Sequence, residues 1–65
     1  MPLILVRDLK LRRDRIINTD FIFHCLQIEE GVRVNYAEGG SGRDHCIVAG
    51  TIEDFAKAVG AAKVG

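Results

Sequence analysis

The stretch Arg15 to Tyr36, RIINTDFIFHCLQIEEGVRVNY, decides the fold. Asn18, Thr19 and Asp20 carry short polar side chains that bond nearby backbone, so the chain turns there instead of extending a strand. From Phe21 to Ile28, odd positions hold Phe21, Phe23, Cys25 and Gln27, and even positions hold Ile22, His24, Leu26 and Ile28. Neither set is consistently polar, which predicts a strand covered on both faces, by a helix on one side and another subunit on the other. Glu29-Glu30-Gly31 supplies a turn in which Gly31 takes positive φ without steric cost. Val32, Val34 and Tyr36 then alternate with Arg33 and Asn35, the cleanest period-two signal in the chain, and are assigned to the core.

Working outward, Leu3 to Val6 is an unbroken apolar run suited to a first strand, buried on both sides or at a subunit contact. Leu9 and Leu11 alternate with Lys10 and Arg12, a charged corner follows at Arg12-Arg13-Asp14-Arg15, and Ile16-Ile17 begin a second short strand. A Gly-rich connection from Glu38 to Asp44 leads to a last strand, His45 to Ala49. Thr51 reads as the N-cap of a helix over about 51–63, with Asp54 three residues on in a capping-box-like arrangement. Ile52, Phe55, Ala56, Val59 and Ala62 share one helical face, and Glu53 meets Lys57 one turn later. Gly60 is expected to weaken the last turns by about 1 kcal/mol relative to Ala, with fraying near Val64 and Gly65. The fold class is therefore α+β: one domain over residues 1–65, a small antiparallel sheet of four or five strands with one C-terminal helix on one face.

A chain of 65 residues is near the lower size limit for independent folding. Cores below roughly 70–80 residues seldom supply more than about 3–5 kcal/mol, so a disulfide, a metal or a partner is commonly added. With 48% hydrophobic residues, this chain is expected to use a homo-oligomer, a dimer first, joined through an apolar second face. Nine basic and nine acidic residues cancel, so no bulk field draws the chain to nucleic acid or an anionic membrane. Arg7, Lys10, Arg12, Arg13 and Arg15 nevertheless concentrate in the first fifteen positions. The sequence offers no signal peptide and no run of transmembrane length, and with two cysteines the expectation is a cytoplasmic protein with free thiols and no membrane partner.

His-Cys occurs twice, at His24-Cys25 and His45-Cys46. Adjacent strand residues point to opposite faces, so one metal cannot collect all four side chains. Only a same-face pair, Cys25 with Cys46 or His24 with His45, remains for a metal shared across a subunit contact. A Cys25–Cys46 disulfide requires Cα atoms about 4.4–6.8 Å apart. A cysteine nucleophile beside His24 or His45 lacks any identifiable oxyanion donor or orienting group. Gly39-Gly40-Ser41-Gly42-Arg43 offers backbone N–H groups to an anion, but no Lys-Ser or Lys-Thr follows and the next element is a strand, unlike a phosphate-binding loop.

The order of elements resembles the small flagellar-operon proteins of the FlbD/SwrD type. Asn18-Thr19-Asp20-Phe21-Ile22, Glu29, Val32-Arg33-Val34, Gly39 and Thr51-Ile52-Glu53-Asp54 carry that likeness over nearly the whole chain. The Gly-Gly-Ser-Gly segment and the absence of a long charged C-terminal extension depart from it. The segment from Ile17 to Gly39 is similar to the opening strands of LytTR-type DNA-binding domains, which would imply duplex contacts. Leu3-Ile4-Leu5 with Arg7 is similar to the opening of carbon storage regulator proteins, which would imply a strand-exchanged dimer that binds RNA. The expectation is a non-enzymatic binding or regulatory module with no cofactor, acting as a homo-oligomer, with Phe21, Phe23 and Cys25 as the subunit or partner contact. Two alternatives stand beside it. One is a nucleic-acid-binding protein using Arg7, Lys10, Arg12 and Arg13 as an anion-contacting edge. The other is a small enzyme or ligand-binding protein with a site at a subunit boundary, lined by His24 or His45 and Cys46.

Overall fold

The structure, a computed structural model, describes residues 3–37, 42–61 and 64. Five strands, β1 (Leu3–Asp8), β2 (Arg13–Asn18), β3 (Ile22–Ile28), β4 (Gly31–Ala37) and β5 (Arg43–Val48), precede one helix, α1 (Ile52–Val59). All strand pairs are antiparallel, in the order β2-β1-β5-β4-β3. The fold is thus the small α+β sheet-and-helix arrangement that the sequence predicts.

Side-chain alternation divides the sheet into two faces. In register across β3, β4 and β5, Cys25, Val34 and Cys46 form one row and Gln27, Val32 and Val48 the next, with Ile4 and Val6 continuing this face on β1 and Ile17 on β2. Phe55 of α1 closes over it, and Val6, Ile17, Val32, Val34, Tyr36, Cys46 and Phe55 are the buried cluster. Burying a phenylalanine side chain contributes roughly 1.5–3 kcal/mol, so one aromatic supplies a large part of the helix's attachment. Val32, Val34 and Tyr36 are buried as their alternation requires.

The N-terminal hairpin differs from the sequence expectation. The first strand runs on through Arg7 and Asp8, and the turn comes at Leu9–Arg12, ahead of the charged corner assigned to it. Asp8 sets this position, because its Oδ1 accepts the Lys10 N–H at 3.0 Å, a local bond that favours turning. Arg12 completes the turn at φ 56°, which a non-glycine residue rarely adopts. Nor is Leu3 to Val6 buried on both sides. Ile4 and Val6 face the core, while Leu3 and Leu5 are exposed.

The turn before β3 is a single 3₁₀ turn, Thr19–Phe21, capped by Asn18, whose Oδ1 accepts the Asp20 N–H at 2.9 Å. Phe21 therefore belongs to the turn and the strand starts at Ile22. A bulge between Ile22 and His24 interrupts the alternation, so Ile22 and Cys25 both join the core side. Among the described residues nothing covers the other face of β3, and Phe23 and Leu26 are 46% and 48% exposed.

The helix is shorter than the predicted 51–63. Thr51 caps it as expected, its Oγ1 accepting the Asp54 N–H at 3.2 Å. Gly60 ends it outright: at φ 75° it is left-handed, and Ala61 N–H reaches back to the Ala56 carbonyl at 2.9 Å. Gly60 is a C-terminal cap here, not a weak interior position. Ala62, Gly65 and Gly39-Gly40-Ser41 of the anion-loop reading lie outside the described residues.

Gln27 fastens the helix to the sheet, a role its place in the strand pattern did not signal. Its Oε1 accepts the Ile52 N–H at 2.7 Å, and its Nε2 donates to the carbonyls of Gly31 at 2.8 Å and Gly50 at 3.3 Å. Gly31 is fixed by space as well as by its φ of 154°: a Cβ there would overlap the Val48 carbonyl oxygen on β5. Gly31→Ala should lower stability by about 1–3 kcal/mol, the usual cost of such strain. A urea unfolding midpoint unchanged by the substitution would contradict this close approach of β4 to β5.

Candidate functional site

Asp8 is the structure's buried charge, with 0% of its surface exposed. It stands where β1 meets β5, and Asp8 with Val48 is the single register pair between those strands among the described residues. Oδ1 accepts N–H groups from Ile47 of β5 at 3.3 Å and Lys10 of the turn at 3.0 Å, while Oδ2 meets the Arg15 guanidinium of β2 at 3.3 Å. Arg15 also lies over the Tyr36 ring of β4, 5.3 Å from its centroid. Four strands thus converge on one carboxylate and one guanidinium. Burial is the largest influence on Asp8 and pushes its pKa up. Hydrogen bonds from Ile47, Lys10, Arg15 and Leu11 together outweigh it and hold the carboxyl below the ordinary aspartate range.

The open face has two characters. On β1 and β2, Leu5 stands directly across from Ile16, and the two are 69% and 67% exposed, with Leu3 beside them. Arg7 and Asp14 pair at 3.2 Å on the same face. On β3, β4 and β5 the face is mixed: Leu26 and Ile47 flank Arg33 in register, and the rest is polar with a second arginine. His24, Asn35 and His45 form a row in direct register, with Arg33 two residues along β4 and Arg43 two residues along β5 on opposite sides of it. The Arg43 guanidinium lies 5.0 Å from the centroid of the exposed Phe23 ring.

The two sheet edges also differ. β2 carries Arg13, Asp14 and Arg15, whereas β3 reads Ile-Phe-His-Cys-Leu-Gln-Ile, without an acid, a lysine, an arginine or a proline. Charged residues on an edge strand discourage pairing with another chain; their absence leaves the backbone groups of β3 open to it.

Of the residues expected to form the contact surface, Phe21 and Phe23 are exposed, but Cys25 is half-buried on the helix side. The bulge at Phe23 separates them. Cys25 instead lines an apolar groove of about 370 Å³ between β3 and α1, with Ile22, Ile52, Phe55 and Val59. The basic residues are not one strand edge either. Arg7 is on the open face of β1, Lys10 and Arg12 are in the turn, and Arg13 opens β2, so three of the four gather at the hairpin tip. Lys10 reaches Asp44 at 3.9 Å, while Arg12 and Arg13 have no ion-pair partner among the described residues.

The thiols are set back from chemistry. Cys25 and Cys46 both pair with Val34, one from each side, so two strand spacings, about 9–10 Å, separate them, beyond disulfide reach. Both are free. Burial raises the pKa of Cys25 and, as the chief cause, pushes Cys46 up to about 11, so neither presents a thiolate at neutral pH. Cys46 and His45 face opposite sides of β5, which removes the pocket expected to hold both. Among the described residues no three His, Cys, Asp or Glu side chains come together in a metal-binding group, and no helix is long and apolar enough to cross a membrane.

No protein-family model matches the chain, and no curated protein or solved structure matches it.

Asp8→Ala would leave Arg15 without its partner and the Ile47 and Lys10 N–H groups without their acceptor. Breaking a buried pair costs about 3–5 kcal/mol, and the lower end fits because the Arg15 side chain stays partly exposed. A folded-state pKa below the unfolded one contributes stability that is complete above the unfolded value near 3.9, and is lost as pH falls through the lower folded value. The difference in urea stability between wild type and Asp8→Ala should therefore be about 3 kcal/mol at pH 7 and shrink below about pH 4. An equal difference at pH 7 and pH 2 would contradict this assignment.

Proposed function

We propose that this chain is a small non-enzymatic binding or regulatory module that works as a homo-oligomer, with two copies joined along β3. The observation carrying the proposal is the contrast between the sheet's edges. β2 holds three charged residues, and β3 holds none over seven positions while Phe23 and Leu26 stand exposed on it. A twofold axis lays an edge strand antiparallel to its own copy, so cationic side chains at several positions of a strand meet one another in many registers. β3 has no such charges to oppose, and its unpaired backbone groups offer the directional bonds of an extended sheet.

Size supports the same reading, since a 65-residue core has a thin margin that a subunit contact increases. Phe21, at the end of the 3₁₀ turn, and the groove between β3 and α1 adjoin that edge and extend the apolar surface a second copy would cover. The raised thiol pKa values and the opposed directions of His45 and Cys46 favour binding over nucleophilic catalysis.

Light scattering should give twice the chain mass or a multiple of it, unchanged between low and high salt. Leu26→Lys places a charge on the exposed side of β3 without touching the buried cluster, and should convert the oligomer to a folded monomer. A wild-type monomer at every accessible concentration, or an oligomer indifferent to Leu26→Lys, would contradict pairing along β3.

A further inference from the structure

The arginine-bearing part of the open face borders the proposed subunit edge, sharing Phe23 with it, and carries its own chemistry. Asn35, at its centre, is 8% exposed although no element among the described residues lies over it. Its Nδ2 lies 3.3 Å from both the His24 carbonyl oxygen and His24 Nε2, so the amide is held in a fixed position. Phe23, His24, Arg33, Asn35, Arg43, Asp44 and His45 surround a shallow hollow of about 280 Å³.

Among the described residues, two cations on this face have no acidic partner. The ion pairs of the described residues join Arg7 to Asp14, Lys10 to Asp44 and Arg15 to Asp8, leaving out Arg33 and Arg43. In a chain with nine acids for nine bases, pairing each arginine with an acid would have been available. The acid at the rim, Asp44, already accepts the His45 N–H at 2.7 Å and faces Lys10 at 3.9 Å. The arginines flank the row, each two residues from its nearest member on the same strand, about 6.6 Å along the backbone. Lying on opposite sides of the row and one strand apart, the two arginines thus have Cα atoms about 14 Å apart, so each side chain must extend inward over the row for both to close on one small anion. Guanidinium groups present forked donors that match phosphate oxygens, and the His45 ring N–H adds a further donor, while the Asn35 amide N–H groups are engaged by His24. Phe23 holds the Arg43 guanidinium against its ring and presents an exposed aromatic surface beside it, on which a planar base can stack.

We infer that Arg33 and Arg43, on either side of the His24–Asn35–His45 row, bind the phosphate group of a nucleotide, free or within a single strand. Arg33 and Arg43 grip the phosphoryl oxygens, the row supplies the floor, and Phe23 receives the base. This surface is distinct from the basic hairpin tip of Lys10, Arg12 and Arg13.

Amide NMR on the full chain tests this with three probes: inorganic phosphate, adenosine monophosphate and a ten-nucleotide single strand of thymidines. Saturable shifts centred on Arg33, Asn35, Arg43 and His45 are expected with adenosine monophosphate or the strand. Arg33→Ala and Arg43→Ala should each weaken binding at least tenfold while leaving the remaining spectrum folded. Arg12→Ala with Arg13→Ala should leave the affinity unchanged. Tighter binding of the strand than of the mononucleotide assigns the phosphate to nucleic acid; equal binding assigns it to a free nucleotide. The inference is overturned if only inorganic phosphate binds, if no probe shifts these residues, or if the arginine variants bind as wild type does. It is equally overturned if the hairpin-tip variant loses the affinity instead.

Discussion

The Asp8 carboxylate is the joint on which the rest of the structure depends. β1 and β2 form one hairpin, and β3, β4 and β5 form a continuous three-stranded unit, yet β1 and β5 share a single register pair. Where the ladder is that short, side chains must do what backbone pairing does elsewhere. Leu9 N–H donates to the Ile47 carbonyl at 2.7 Å, and Asp8 accepts the returning Ile47 N–H. Arg15 then carries the connection from Asp8 across to the Tyr36 ring on β4. A buried charge is costly to desolvate, and this one is tolerable because N–H groups from two elements and a guanidinium surround it.

With the joint in place, the sheet has one covered face, one open face and two unlike edges. The covered face needs only a short helix, held at its start by Thr51 and Gln27 and ended by Gly60. The open face carries the exposed Leu5 and Ile16 on β1 and β2, and Arg33 and Arg43 among polar and apolar side chains on β3, β4 and β5. An edge without charges therefore borders a surface carrying two arginines, and on these two features rest the proposed pairing with a second copy and the proposed anion site. Neither requires a reactive thiol, and the protein buries its cysteines where their protons are hard to remove.

Much of this architecture is legible in the sequence. The alternation of Val32, Val34 and Tyr36, the polar Asn18-Thr19-Asp20 turn and the Thr51 cap are local signals, and the structure realises each where the residues stand. Other features depend on contacts distant in sequence. The bulge at Phe23 changes which side of β3 each residue takes, so the grouping of Phe21, Phe23 and Cys25 fails even though the strand itself is present. Asp8 reads as one charge among many near the N-terminus, and only its meeting with Ile47, 39 positions later, shows why it is buried. Arg33 and Asn35 fall on β4 and Arg43 and His45 on β5, so they form no contiguous motif; the one local signal is the polar phase of β4.

The central claim is that an ionised Asp8 clips the N-terminal hairpin to β5. Carboxyl-carbon NMR of Asp8, followed through an acid titration together with the Ile47 amide, tests it most directly. The Asp8 midpoint is expected below the ordinary value near 3.9, with the Ile47 amide moving at the same midpoint as its acceptor is protonated. An Asp8 midpoint at or above that value, or an Ile47 amide that does not follow it, would contradict the clip.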